Sequence, residues 1–460
     1  PPPALTLGDI PVARLYRRAT GAPRPVDPDA PPGAPGAGGW RIEQRYDHPD
    51  PAAANRHLHA DLARGVGGIW LRLDRAGRQG CPTGAVDDAG GHGTGGATDG
   101  IAIATAEDLG RALDGVRLDL IHVAFDAGRA APRLAAVILG TDFLAARGVA
   151  LHQARLAFDF DPLGLLAAAQ LDPDRLGRDP DRVPDAARAA PDGAAVLRPI
   201  HDAAVAAGAH RHIRTVGISA VPYHDAGATA VHELAYAVAT GMAYLRSASE
   251  LGWPPAAACR QMRFVFAVGN AFFAEVAKLR AARRLWGRVV RSLGAGVDAA
   301  AGPMAIHAVT SARARGTRDP WVNLVRGTTQ ALAAAVGGAD SIATLPFDGI
   351  GSAAGDLGRR LATHTQTILQ AEAHAGRIAD AAAGSPSVEA LTDALARRAW
   401  DVLRSIERGG GMGRAIASGR VAAEMAEAAR ARRDASSAGD AVVVGETRYV
   451  APGAEGAGDG

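Results

Sequence analysis

Short apolar runs alternate along the chain with longer segments in which apolar residues recur every three or four positions. One longer segment carries Val231, Leu234, Ala235, Val238, Met242 and Leu245 on a single helical face. The strand-like runs are 40–46, 67–73, 119–125, 154–160, 215–221, 263–269, 304–310 and 340–347. Strands that alternate with helices predict a parallel sheet, and eight such units predict an α/β fold closed into a (β/α)₈ TIM barrel. A doubly wound open sheet is the alternative.

The region before the first predicted strand differs from the rest in composition. Residues 22–39, "APRPVDPDAPPGAPGAGG", are too rich in proline and glycine to form a core and predict an extended linker. The preceding "LTLGDIPVARLY" predicts a short ordered segment that docks on another surface. We therefore expect an N-terminal arm and linker at 1–39, the barrel at 40–390, and C-terminal helices and a linker at 391–460.

Composition narrows the function classes. The formal net charge is +2 and 21% of residues are charged, which argues against a nucleic-acid partner. Cys81 and Cys259 form neither a metal motif nor a disulfide framework, so a reducing cytoplasm is expected. No apolar run of about 18 residues predicts a membrane span. The chain begins at Pro1 rather than Met, and we expect it to be a piece of something longer.

The barrel prediction identifies two places where side chains could take part in chemistry. Tyr223 and His224 come just after the fifth predicted strand, and barrel enzymes carry their chemistry on the loops that follow the strands. The same aromatic pair could equally fill the barrel mouth. His307 lies inside the seventh strand and is predicted to be a buried barrel histidine rather than a catalyst.

Three long stretches carry a resemblance to a known family. They are "YHDAGATAVHELAYAVATGMAYLR" (223–246), "EVAKLRAARRLWGRVV" (275–290) and "RDPWVNLVRGTTQALAAAVGGADSIATLPFD" (318–348). With these motifs the chain resembles the adenosylcobalamin-dependent acyl-CoA mutases, and among them the methylmalonyl-CoA mutases. The likeness extends through "HTQTILQAEAHAGRIAD" (364–380) and "GGGMGRAI" (409–416), and it covers about three quarters of the chain.

The resemblance implies a barrel that holds an acyl-CoA along its axis, beneath a separate cobalamin-binding domain. It also implies that a Tyr-His pair after the fifth strand steers the rearrangement, with the histidine bound to the thioester carbonyl. Tyr223 and His224 match that pair, and Arg263 matches a family arginine at the start of the sixth strand. The cofactor supplies the radical chemistry, while the protein positions the substrate and excludes water.

Several positions depart from the catalytic pattern of this family. Arg45 takes the place of a substrate-pocket tyrosine, with Tyr46 displaced by one, and Arg188 is a weak counterpart of the arginine that binds the migrating carboxylate. His307 is retained. Polar residues that face the cofactor are replaced by Val309, Leu345 and Gly349. Losing several convergent polar groups removes interactions that must strengthen in the transition state, so the pocket of Tyr223, His224, Arg263 and His307 is predicted to be vestigial.

The departures resemble the small subunit of heterodimeric methylmalonyl-CoA mutases, as do "DHPDPAAANRHLHADLARGVGGIWLRLD" (47–74) and "VAFDAG" (123–128). The family's cobalt-ligating D-x-H-x-x-G is absent from the sequence, and "GDAVVVGETRYVAPG" (439–453) resembles the strand that leads towards a cobalamin domain. We therefore predict a non-catalytic subunit, partnered by a large catalytic subunit that binds adenosylcobalamin. This chain itself is expected to bind neither cofactor nor metal.

Two other functions remain open from the sequence. The first is a catalytic barrel of the isobutyryl-CoA mutase type, with its cobalamin domain on a separate chain. The second is an unrelated sugar or phosphate barrel, which rests on fold alone. The basic helix "AEVAKLRAARRLWGRVVRSL" is predicted to pack its apolar face on the barrel and to expose its arginines to solvent or to a subunit, rather than to nucleic acid.

Overall fold

The computed structural model describes most of the barrel and its helices. The described residues are 5–7, 10–12, 39–80, 100–140, 142–171, 193–208, 210–350, 354–438 and 442–450. Arg188, Cys81 and almost all of the predicted linker at 22–39 lie outside them.

Eight parallel strands close into a barrel. A hairpin of β1 (Leu5–Leu7) and β2 (Ile10–Val12) precedes it. The barrel strands are β3 (Arg41–Tyr46), β4 (Gly68–Arg72), β5 (His122–Asp126), β6 (Leu156–Phe160), β7 (Ile213–Ser219), β8 (Met262–Val268), β9 (Ile306–Thr310) and β10 (Ser341–Ala343). Each strand pairs with the next, and β10 pairs with both β9 and β3. The (β/α)₈ barrel is confirmed, and the open-sheet alternative is wrong because the described sheet has no free edge.

Helices surround this barrel and extend beyond it. The first eight are α1 (Pro51–Leu62), α2 (Arg75–Gln79), α3 (Ala106–Ala112), α4 (Ala131–Gly140), α5 (Pro162–Gln170), α6 (His201–Ala207), α7 (Val221–Ala226) and α8 (Ala230–Glu250). The others are α9 (Pro255–Gln261), α10 (Phe272–Arg291), α11 (Val297–Ala301), α12 (Pro320–Val336), α13 (Asp356–Ala371), α14 (Pro386–Arg408), α15 (Gly411–Ala417) and α16 (Arg420–Ser437). No helix within the described ranges is long and apolar enough to cross a membrane.

The strands alternate between lumen and helix layer, as a period of two requires. In β3, Glu43 projects into the lumen, where it meets Arg263 of β8. Tyr46 faces outwards, and its hydroxyl donates to Asp61 of α1 over 3.2 Å. This alternation decides which polar residues meet inside the barrel.

Helix α8 is buried on more than the predicted face. Leu234 and Val238 are fully buried as expected, but so is Tyr236 on another side, where its ring contacts Tyr223 of α7 and its hydroxyl donates to Glu424 of α16. Helix α14 also packs across α8 and α10. The close packing of α8 on α10 depends on Gly241, where an added Cβ would lie 2.6 Å from Cζ3 of Trp286. The C-terminal helices thus form a second layer over the barrel helices.

Arginines of helix α10 correct one expectation. Arg280 is buried and pairs with Asp380 at 2.9 Å and Glu389 at 2.7 Å. Arg283 is buried and pairs with Asp340 at 3.0 Å. The prediction that the arginines of this helix form a solvated or subunit-facing surface is wrong for these two, because α14 and the loop before β10 supply carboxylates for them.

The segments at either end of the barrel lie against it. Ile10 of β2 is buried, and this strand contacts α14, so part of the predicted arm docks on the same chain. Helix α14 runs across residue 390. The division into an arm at 1–39, a barrel at 40–390 and C-terminal helices at 391–460 stays a prediction.

Candidate functional site

The N-terminal half of the lumen is occupied by charged side chains. Glu43 accepts from Arg263 over 2.6 Å and from Arg41 over 2.6 Å, and His307 Nδ1 lies 3.2 Å from the same carboxylate. Arg263 also donates to Asp159 of β6 over 2.6 Å. Arg263 and His307 are the second residues of β8 and β9, which places this group near the strand beginnings. We call these five residues the base network.

Asp159 reaches Arg263 because β6 is irregular. The strand register shifts between Ala157 and Phe160, and Asp159 has a positive φ of 44°. Gly217 on β7 makes room for this bend, since an added Cβ would lie 2.8 Å from the Asp159 backbone. Bulges of this kind redirect a side chain at a defined point in a sheet.

The two carboxylates of the base network have opposite pKa shifts. Burial raises the pKa of Glu43, but the neighbouring charges of Arg263, Arg41 and His307 outweigh it, so the pKa lies well below the usual value. Burial raises the pKa of Asp159 to about 6, and the nearby Glu43 charge adds to the rise. Two carboxylates that share one arginine are driven apart in pKa in this way.

An apolar layer crosses the lumen next to the base network. It consists of Trp70, Ala124, Ala157, Ala267, Val309, Ala343 and Leu345, with Val221 packed against it. The Trp70 ring lies edge-on to the His307 ring at 5.1 Å between centroids, which joins the layer to the base network. Side chains therefore occupy the axis of the barrel at two successive levels.

His224 has both ring nitrogens engaged within the protein. Its Nδ1 lies 2.7 Å from Glu233 Oε1, and its Nε2 lies 2.7 Å from Ser311 Oγ. The residue is buried. The short helix α7 begins at Val221, with Pro222 in its first turn, and it places His224 against α8 and the end of β9. Neither ring nitrogen is left to bind a carbonyl in the lumen.

The contacts of His224 continue into a buried chain of charges on α8 and α10. Lys278 donates to Glu233 over 2.8 Å and to the Ala267 carbonyl over 2.7 Å, and it pairs with Glu275 at 2.6 Å. Burial raises the pKa of Glu233, but Lys278 and His224 lower it by more than burial raises it, and the resulting pKa is about 2. We call His224, Glu233, Glu275, Lys278 and Ser311 the shoulder network.

Tyr223 points away from the lumen. It is buried in the main hydrophobic core among the helices, and its ring lies edge-on to Tyr236 at 5.0 Å. Burial raises the pKa of its phenol. Tyr223 therefore contributes to the packing of α7 on α8. Val221 is the residue of α7 that contacts the apolar layer in the lumen.

The mouth of the barrel is crossed by ion pairs. Arg45 pairs with Asp47 at 3.1 Å and Arg72 with Asp126 at 3.6 Å. Gly349 lies in the loop after β10, where its carbonyl accepts from Arg315 over 3.0 Å.

The structure therefore separates the predicted site residues into two pairs. Arg263 and His307 meet through Glu43 near the strand beginnings, while Tyr223 and His224 follow the end of β7 and contact helices. Sequence reasoning missed Glu43, Asp159, Glu233 and Lys278. Glu43 could have been found from the sequence, because it lies between Ile42 and Gln44 inside a predicted barrel strand, where alternate side chains face the lumen. Among the described residues, no group of three His, Cys, Asp or Glu side chains is placed to hold a metal ion.

Comparison with known proteins gives a consistent family. The family model described as methylmalonyl-CoA mutase matches residues 35–171 and 194–457. The methylmalonyl-CoA mutase small subunit of Streptomyces virginiae is 38% identical over 394 residues, which is 85% of this chain and 56% of that protein. The small subunit of Propionibacterium freudenreichii subsp. shermanii is 32% identical over 384 residues, covering 82% of this chain and 51% of that protein.

A third relative carries no subunit designation. The methylmalonyl-CoA mutase of Cereibacter sphaeroides is 37% identical over 235 residues, covering 51% of this chain and 33% of that protein. The chain spans about half the length of the small subunits that it matches.

Proposed function

The chain belongs to the methylmalonyl-CoA mutase family, and from this premise we propose that it is the small, non-catalytic subunit of a two-subunit mutase. A large subunit would interconvert methylmalonyl-CoA and succinyl-CoA, and this chain would support it as a heterodimer partner.

The observation that carries the proposal is the filled lumen. The family resemblance implies a substrate that lies along the barrel axis. Here the base network closes the axis near the strand beginnings, and Trp70 with the apolar layer closes it again further along. Opening such a path would require breaking the buried contacts of Arg263 with Glu43 and Asp159, and removing one partner of such a pair typically costs about 3–5 kcal/mol.

The surroundings of His224 support the same proposal. A histidine that stabilises a thioester oxygen must present an N–H to it. Both ring nitrogens of His224 are instead engaged by Glu233 and Ser311. We propose that Tyr223, His224, Arg263 and His307 are remnants that now serve the packing of the barrel.

Adenosylcobalamin is the cofactor of this family, and the residues present do not fit its adenosyl group. Val309 and Leu345 offer only apolar surface, and both are buried in the lumen layer. A nucleoside needs hydrogen-bond partners for its hydroxyl groups and base, and burying these groups against aliphatic side chains is unfavourable. We propose that the partner subunit binds the cofactor.

The test is a reconstitution with a purified cobalamin-binding large subunit. Three samples are assayed with methylmalonyl-CoA and adenosylcobalamin: this chain alone, the large subunit alone, and the mixture. We expect no turnover from this chain alone, coelution of the mixture as a heterodimer, and a rise in melting temperature on mixing, since a partner that binds only the folded state stabilises it.

Turnover by the chain alone would contradict the proposal, as would separate elution of the two chains at micromolar concentration. Turnover of isobutyryl-CoA by this chain with a separate cobalamin-binding protein would instead favour the isobutyryl-CoA mutase alternative. The filled lumen argues against that outcome.

A further inference from the structure

The last helix that the structure describes, α16, is attached to the barrel along only part of its length. Val421 and Met425 are its two buried residues, and both lie in its first two turns. Helix α14 differs, since its buried side chains run from Val388 to Ile406. Local stability is low where few apolar contacts are buried. The attachment of α16 therefore depends mainly on its N-terminal third.

Hydrogen bonds and one close backbone contact complete this attachment. Glu424 accepts a hydrogen bond from the Tyr236 hydroxyl of α8 and another from Arg420 over 2.7 Å. Near the middle of the helix, Ala429 lies against Gly227, the residue that follows α7. A Cβ added to Gly227 would lie 3.0 Å from the Ala429 Cβ, and the φ of 119° also favours glycine there. Helix α16 thus covers the corner between α7 and α8.

The C-terminal end of α16 has no comparable attachment. Residues 430–434 are exposed, and no carboxylate among the residues that the structure describes pairs with Arg430, Arg432 or Arg433. Partial burial lowers the pKa of Arg432, and the like charge of Arg313, in the loop after β9, lowers it further. This end of the helix is therefore held by no ion pair and lies near a charge of the same sign.

A glycine joins α16 to the helix before it. Gly419 has a φ of 77°, in the left-handed region that glycine adopts without a steric penalty. Met412 and Ile416 of α15 are fully buried, so the helix on the other side of this glycine is firmly packed. Hinges are commonly a few residues at the ends of elements, where they absorb a change in φ and ψ. Gly419 is placed to redirect α16 while α15 stays in position.

We propose that α16 is a hinged flap, which opens away from the corner between α7 and α8 while the barrel stays folded. The flap turns at Gly419, and opening separates Met425, Glu424 and Ala429 from their partners. Helix α7 carries His224 of the shoulder network and loses part of its cover when the flap opens. We therefore expect α7 to become mobile together with α16, so that the flap controls how firmly His224 is held.

The closed position is the more populated one. Opening exposes Met425 and part of Tyr236, which are both fully buried in the closed flap, and the transfer of apolar surface into water is unfavourable. The Tyr236 ring also lies edge-on to Tyr223 of α7 at 5.0 Å between centroids. This contact gives a direct route by which the position of α16 affects α7.

This inference does not depend on the proposed function. It requires neither a partner subunit nor turnover, and it concerns only contacts within this chain. A failure of reconstitution would leave the flap intact, and a rigid α16 would leave the subunit proposal intact.

The first measurement is amide hydrogen exchange of the unmodified full chain, followed by mass spectrometry. Each rate is compared with that of an unstructured peptide of the same sequence. We expect the amides of 424–437 to exchange at least about 100-fold faster than those in the middle of α14, since only α14 is buried along its length. Equal protection of α16 and α14 would overturn the proposal.

Two matched variants test the attachment of the flap. Glu424→Gln weakens the contact of α16 with Tyr236 of α8, and Glu407→Gln weakens the contact of α14 with Arg246 of the same helix. Because hydrogen bonds to charged groups are the stronger ones, we expect Glu424→Gln to speed exchange in α16 and α7 at least about fivefold. The Glu407→Gln control should leave both helices within about twofold. Equal effects of the two variants on α16 would overturn the proposal, as would faster exchange in α16 without α7.

Thiol labelling gives a reading that is independent of hydrogen exchange. Met425→Cys and Leu403→Cys place a thiol beneath α16 and beneath α14, where both native side chains are buried. The reaction of Cys81 and Cys259 in the unmodified chain is subtracted, and circular dichroism checks that both variants are folded. We expect dithiobisnitrobenzoate to label Met425→Cys at least about 30-fold faster, because its helix opens without the barrel. Equal labelling rates would overturn the proposal.

Discussion

The base network and the shoulder network are both buried ion clusters, yet Asp159 of the first and Glu233 of the second have opposite pKa shifts. In the shoulder network, Glu233 is surrounded by Lys278 and His224, and its pKa falls to about 2. In the base network, Asp159 competes with Glu43 for Arg263, and its pKa rises to about 6. Burial alone therefore does not set the sign of a pKa shift. The charges nearest to each individual carboxylate decide it.

The positions of the two clusters are the opposite of what is expected in a barrel enzyme. Strongly raised carboxyl pKa values mark candidate acid–base sites, and chemistry belongs at the strand ends. Here the raised value belongs to Asp159, whose carboxylate binds Arg263 near the beginning of β8. His224, beyond the end of β7, has both ring nitrogens engaged within the protein. Such a distribution fits a barrel whose polar interior stabilises the fold.

The largest effect is expected from Lys278→Met. Removing this cation leaves Glu233 and Glu275 buried without their shared partner, which should lower the free energy of unfolding by about 3–5 kcal/mol. Urea unfolding measures it, with Arg397→Met on the surface of α14 as a control expected to change by less than about 1 kcal/mol. A loss comparable to the control would show that the shoulder network does not stabilise the chain.

Glu233→Gln tests the pH response of the shoulder network. Its folded pKa of about 2 lies below the ordinary 4.5, so its stabilisation is present above pH 4.5 and is lost as the pH falls towards 2. By linkage this corresponds to roughly 3 kcal/mol at neutral pH. Unfolding of the two proteins should therefore differ most at pH 7 and converge on acidification. A difference that is constant from pH 7 to pH 3 would contradict the assigned shift.

Asp159→Asn tests the opposite response. The folded pKa of about 6 lies above the ordinary 3.8, so wild-type stability is fully present below pH 3.8 and is lost as the pH rises through 6. The asparagine variant lacks this titration, and asparagine tolerates the positive φ. Relative to the variant, the wild type should lose roughly 2–3 kcal/mol between pH 4 and pH 7. A relative gain over that range would contradict the raised pKa that we assign to Asp159.

The smallest effect is expected on catalysis by the assembled mutase. If His224 is structural, His224→Ala should leave kcat within about twofold once the heterodimer has formed, although the chain will be less stable. In a working site the loss of a proton donor costs about 10²-fold or more. Steady-state assays at saturating chain concentration measure kcat. A drop of about 10²-fold would show that His224 is a catalytic residue.

Much of the fold was predictable because strand and helix periods are local properties. All eight barrel runs contain the observed strands or overlap them within a few residues. The last run is the weakest match, since 340–347 was expected and the strand is Ser341–Ala343. Pro346 cannot donate to a sheet, and Leu345 instead bonds Thr310 through its backbone N–H.

The site was less predictable because it depends on register between distant segments. Glu43 and Arg263 are 220 positions apart, and nothing local indicates that they meet. The orientation of His224 was missed for another reason. The sequence predicts Tyr223 and His224 on a loop after the strand, but the structure has helix α7 (Val221–Ala226) there, and His224 contacts Glu233 of α8.

Lys278 is the only lysine among the 460 residues, and it is fully buried. The protease that cleaves after lysine therefore has a single target in this chain, reachable only when α10 separates from β8 and α8. Cleavage would yield two fragments, 1–278 and 279–460. The rate at which the fragments appear therefore reports on the opening of the barrel without a label. Amine-reactive reagents should likewise leave this side chain unmodified until the fold is lost.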